Sequence, residues 1–168
     1  MVTSLEELKI LQVAEVVADE IWKQVVLWDT FARSTVGSQL VRAADSIGAN
    51  IAEAFGRFNY GEKIQFLYYA RGSLFETKYW LNRAKARDLI SLDLVQGFAN
   101  QLTDLARQLN TFVGSLKRQR YNESLGKKPG KIRELSTSYM TANANDWLDD
   151  LFTERNLEWL ITVSDPDL

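Results

Sequence analysis

Leu67-Tyr68-Tyr69-Ala70-Arg71-Gly72-Ser73-Leu74-Phe75-Glu76-Thr77-Lys78-Tyr79-Trp80-Leu81-Asn82-Arg83-Ala84 is the stretch that decides the fold. Leu67, Ala70, Leu74, Thr77, Leu81 and Ala84 follow one another at steps of three and four, a spacing that an α-helix gathers on one side. A second stripe, Ile64, Tyr68, Phe75 and Tyr79, runs along the same helix. One stripe fills the core of a helix bundle. The second is expected to cover an interface, so Tyr68, Phe75 and Tyr79 are assigned to self-association.

The pattern repeats in both directions from this helix. Upstream, Asn59-Tyr60-Gly61 punctuates the chain, and Glu62 falls in a first turn, where a negative charge suits the helix dipole. Before that, Leu40, Ala43, Ile47, Ile51, Ala54 and Phe55 share one side of a helix for which Ser38 is the expected cap. Leu11, Ala14, Ala18, Ile21, Val25, Trp28 and Ala32 predict a first helix from about Leu5 to about Arg33, terminated near Gly37. Downstream, Asp88 to Ser91 form a turn, with Ser91 as N-cap and Asp93 in the next first turn. A fourth helix carries Phe98, Leu102, Leu105, Leu109, Phe112 and Leu116, and ends among Lys117, Arg118 and Arg120.

Four such helices with short joints predict an all-α, antiparallel up-and-down four-helix bundle over residues 1–120. Residues 121–168 are expected to be a basic linker followed by an acidic tail. Gly126-Lys127-Lys128-Pro129-Gly130 cannot continue a helix. Asn145 is a fitting cap for a short acidic amphipathic helix from Asp146 to about Leu160. Its Trp147, Leu148, Leu151, Phe152 and Trp159 have the character of anchors that dock a partner's groove. The same segment would otherwise fold back over a basic surface or pack on the bundle.

Composition narrows the chemistry. The 168 residues are 46% hydrophobic with two prolines, a balance that suits one packed, helix-rich unit plus an appendage. There is no cysteine and no histidine. Disulfides, thiol catalysis, Ser-His activation and the carboxylate–histidine di-iron sites of many four-helix bundles are therefore excluded. Gly-rich phosphate loops, nucleophile elbows and metal-ligand spacings are absent from the sequence as well. An all-carboxylate Mg²⁺ site or a lysine base is still compatible with this composition, but the expectation is a non-enzyme with no catalytic residues, no metal and no cofactor. No apolar run reaches the roughly 18 residues of a membrane span, and the N-terminus is acidic, so cytoplasmic residence is expected.

Charge is distributed unevenly. Residues 1–120 hold 15 basic and 13 acidic side chains, and residues 121–168 hold 5 and 9. Between residues 117 and 133 seven bases face Glu123 alone. On the third helix Arg71, Lys78 and Lys85 recur at steps of seven, with Arg83 and Arg87 beside them. Together with Arg42, Arg57, Lys117, Arg118 and Arg120, they are expected to form a surface that faces RNA or DNA phosphates. Arg42, Ser46, Asn50, Glu53 and Arg57 line one face of the second helix, where Ser46, Asn50 and Glu53 are expected to pair with Arg71, Ser73 or Glu76 next door.

Gln39-Leu40-Val41-Arg42-Ala43-Ala44-Asp45-Ser46-Ile47-Gly48-Ala49-Asn50-Ile51-Ala52-Glu53-Ala54-Phe55-Gly56-Arg57 resembles the signature of the ribosomal RNA intervening-sequence protein family, and so does Phe66 to Glu76. The resemblance covers roughly residues 10–118. Such proteins are four-helix bundles encoded within insertions in bacterial large-subunit rRNA genes or elsewhere, and include the accessory variability determinant of diversity-generating retroelements. The resemblance implies a homopentamer and, for the retroelement relative, a basic surface that binds nucleic acid and a partner reverse transcriptase. The expected role is thus a non-catalytic oligomeric accessory protein. The rival expectation is a protein-only adaptor or scaffold whose C-terminal tail docks an effector.

Overall fold

In a computed structural model, residues 4–126 of the chain are described. They form α1 (Lys9–Val25), the single turn α2 (Thr30–Ala32), a π-helical turn (Arg33–Gly37), α3 (Ser38–Gly56), α4 (Tyr60–Lys85) and α5 (Leu92–Ser124). Among the described residues there is no strand. The long helices α1, α3, α4 and α5 make the bundle. The expected tail helix, with Trp147, Leu148, Leu151, Phe152 and Trp159, lies outside the described residues.

Burial follows the sequence stripes closely. On α4 all six of Leu67, Ala70, Leu74, Thr77, Leu81 and Ala84 are fully buried. Leu11, Ala14, Ala18, Ile21 and Val25 point inward from α1, and Leu40, Ala43, Ile47, Ile51 and Ala54 from α3. Phe98, Leu102, Leu105, Leu109 and Leu116 complete the core from α5. Each large aliphatic side chain so placed contributes about 1.5–3 kcal/mol relative to exposure. Phe55, expected on the inner face of α3, is instead exposed, because it sits one position past Ala54 and rotates off the stripe.

Sequence neighbours pack on each other, α1 on α3, α3 on α4 and α4 on α5, while α5 closes the ring on α1. Polar links fix the antiparallel sense. The Tyr60 hydroxyl, at the start of α4, donates to Glu123 near the end of α5 at 2.9 Å. Farther along α4, Arg71 Nη1 donates to Asn110 Oδ1 on α5 at 2.9 Å. Gln101 Nε2 on α5 donates to Glu20 Oε2 on α1 at 2.8 Å.

The expected first helix is divided. α1 stops at Val25, and Asp29 restarts the chain: its Oδ1 accepts from the N–H groups of Phe31 at 2.8 Å and Ala32 at 3.0 Å. An aspartate that satisfies the orphan donors of a new helix wins over continuation of the old one. Gly37 and Ser38 are not a stop and a cap either. Gly37 has helical dihedrals, and a Cβ there would stand 2.7 Å from Val25 Cγ1, so glycine is required by the close approach of α1. Ser38 lies within the helical run, where its hydroxyl donates to the Ser34 and Thr35 carbonyls around the π-turn.

Replacing Asp29 by alanine removes that cap and is expected to cost about 1 kcal/mol, most of which asparagine restores; urea denaturation of the two variants checks it. The turn before α5 is as the sequence predicts. Ser91 Oγ accepts from the Leu94 N–H at 3.4 Å, and Asp88 takes a left-handed φ of 55° that aspartate tolerates better than most residues.

Candidate nucleic-acid interface

Arg71 and Lys78 are the main correction to the expected basic row. They are 3% and 0% exposed, buried in the bundle rather than presented to solvent. Each stands four residues after a core leucine, Leu67 and Leu74, and so widens the buried stripe on the flank of α4 that meets α5. Arg71 reaches Asn110 there. For Lys78, burial first and the nearby Lys85 charge second lower the ammonium pKa from its ordinary 10.5 to about 8.

The cations of the expected interface that do reach solvent are divided between the two ends of the bundle. Arg83 and Arg87 are exposed, and Lys85 half-buried, where α4 finishes. Because the helices alternate in direction, the start of α3 with Arg42 lies at this end, and so do Asp88 and Asp93. Arg57, Lys117, Arg118 and Arg120 gather at the other end. The 26 residues of α4 separate the two groups by roughly 40 Å. A single phosphate track along one helix face is therefore replaced by two basic ends.

At the α5 end the arrangement favours anions. Arg118 and Arg120 are exposed, and Lys117 and Arg57 are half-buried. Lys117 Nζ sits 6.0 Å from the centre of the Tyr68 ring, and the Arg57 guanidinium lies 4.6 Å over Phe66 while pairing with Glu53 on α3. Glu123, the one acid between residues 117 and 133, already accepts from Tyr60. In sequence the run continues into Lys127, Lys128, Lys131 and Arg133, outside the described residues.

The polar face of α3 is satisfied mainly along its own helix. Ser46 Oγ donates to the Arg42 carbonyl, and Asn50 Nδ2 to the Ser46 carbonyl, each at 2.7 Å. Short polar side chains reach the preceding turn more easily than a neighbouring helix, which is why the expected cross-helix pairs give way to local ones. The second aromatic stripe of α4 is also partly absorbed. Ile64 is in the core, Tyr68 and Phe75 pack against it half-buried, and Tyr79 alone of the four is exposed, at 51%.

One feature escaped the sequence reading. A groove of about 450 Å³ lies between α1 and α3, lined by Trp22, Val25, Val26, Arg33, Val41, Arg42 and Asp45 among others. The signal was Trp22 itself, one position off the inward stripe at Ile21 and 56% exposed. Partial desolvation, and secondly the Asp19 charge, raise the Asp45 carboxyl above its ordinary value.

The profile of the 23S rRNA-intervening sequence protein family matches residues 6–111. The chain belongs to this family. Comparison with curated proteins gave no match. In this 23S rRNA-intervening sequence protein the matched region runs from just before α1 into α5, so Arg42, Arg57, Arg83, Lys85 and Arg87 fall within it. Lys117, Arg118, Arg120 and the tail fall beyond it. Among the described residues of this family member no helix is long and apolar enough to cross a membrane.

Proposed function

We propose that this 23S rRNA-intervening sequence protein is a non-catalytic accessory protein that binds nucleic acid through the basic end of α5 and works as a homo-oligomer. The observation that supports this reading is the run Lys117, Arg118 and Arg120, whose neighbouring acid, Glu123, is engaged by Tyr60. With four more bases following in sequence, it is the densest positive stretch of the chain. Arg57 belongs to the same end. Arg42, Arg83, Lys85 and Arg87 form a secondary patch, tempered by Asp88 and Asp93. Tyr79 contributes to the self-association face, and by the family resemblance the assembly is a pentamer. Repetition of a small patch around such a ring raises the local field that steers a polyanion.

The resemblance to the accessory determinant of diversity-generating retroelements makes a reverse transcriptase the preferred protein partner. Fold alone does not select it.

Fluorescence anisotropy with a single-stranded RNA, followed over a salt series, tests the interface. Each phosphate contact contributes about 0.7 to the slope of log affinity against log salt. Changing Arg118 and Arg120 to glutamine is expected to weaken binding and to flatten the slope by about 1.4. Unchanged affinity and slope in that variant would remove α5 from the interface.

A further inference from the structure

The groove between α1 and α3 has a composition that asks for an amphipathic acidic occupant. Trp22, Val26 and Val41 give it an apolar lining, although Trp22 is more than half exposed. An indole left this open to water forgoes much of the burial that aromatic side chains offer. Arg33 and Arg42 bring two guanidiniums to the same groove, against Asp45. The contact found for Arg33 is the Val26 carbonyl at 3.4 Å, and for Arg42 the amide oxygen of Gln39, both neutral acceptors.

The chain carries a matching segment. Between residues 146 and 160, Asp146, Asp150, Glu154 and Glu158 recur at steps of four. A helix would set these acids in one row, with Trp147, Leu151 and Phe152 beside it. Reach is sufficient. α5 ends at the opposite end of the bundle, roughly 40 Å from the groove, and the 19 residues from 127 to 145 extend to about 60 Å.

We propose that residues 146–160 of the chain dock as an amphipathic helix in its own α1–α3 groove, apolar side against Trp22 and Val41, acids toward Arg33 and Arg42. The docked tail withdraws Arg42 from the secondary patch, which keeps Arg83, Lys85 and Arg87, and leaves the basic end of α5 open. This intramolecular contact does not depend on whether the chain binds nucleic acid.

Amide hydrogen exchange on the full chain, read by mass spectrometry, tests it. Amides within 146–160 are expected to exchange at least tenfold more slowly than an unstructured peptide of the same sequence. Trp22→Ala and Arg42→Glu should each abolish that protection while the α4 amides keep theirs. Trp147→Ala, which leaves the bundle untouched, should do the same. The protection should also be independent of protein concentration wherever the light-scattering mass is constant. Absence of protection in the unmodified chain would overturn the proposal, as would protection that survives Trp22→Ala and Arg42→Glu. Protection that grows with concentration would overturn it too, since it assigns the groove to a second copy.

Discussion

Truncating Leu74 to alanine is expected to cost about 2–5 kcal/mol of folding stability, the largest loss from any single change considered. Leu74 is fully buried midway along α4, the helix that packs on both α3 and α5. Neighbours held by two other helices cannot collapse into the space, so the cavity term adds in full to the lost transfer energy. Urea denaturation should show a lower midpoint with the slope unchanged. Tyr79, half exposed on the same helix, provides the contrast: its truncation should leave a dilute sample within about 0.5 kcal/mol of the unmodified chain. A Leu74 effect no larger than that would mean that the stripe on α4 is not the core.

Lys78→Met should act in the opposite direction. With its pKa lowered from 10.5 to about 8, Lys78 binds fewer protons in the folded than in the unfolded chain between those two pH values. Stability therefore rises with pH across that window, and the full penalty of the buried ammonium is present below about pH 8. Methionine follows the lysine chain as far as Cε and leaves out the charged nitrogen. At pH 7 the variant is expected to gain about 1–2 kcal/mol and to lose the rise between pH 8 and 10.5. Denaturation curves at pH 7, 9 and 10.5 for both proteins give the comparison. A destabilised variant with the rise intact would mean that the contacts of the ammonium outweigh its desolvation.

These two residues mark what could be read in the sequence. Leu74 was legible because helix periodicity alone puts it with Leu67, Ala70, Thr77, Leu81 and Ala84, and nothing in the tertiary structure had to be known. Lys78 was not. Its position four residues after Leu74 belongs to the core flank only once α5 is packed there, and a heptad row of cations reads as a surface until that neighbour is placed. The break after Val25 was hidden for a related reason. Trp28 and Ala32 keep the phase of the α1 stripe although they belong to different elements, and Asp29, the residue that interrupts it, signals only through its capping bonds. Gly37 carried a misleading signal, since its lack of a side chain serves the approach of Val25 rather than a helix end. The basic end of α5 and the family signature were both visible from the start, whereas the α1–α3 groove needed two helices in register to exist at all.

Light scattering on the full chain, with and without a single-stranded RNA, bears most directly on the claim that an oligomeric bundle binds nucleic acid by its basic α5 end. The expected mass is a multiple of the 19.2 kDa chain, five-fold by the family resemblance, with a further increase when RNA is added at low salt. A monomeric mass that RNA leaves unchanged would contradict it.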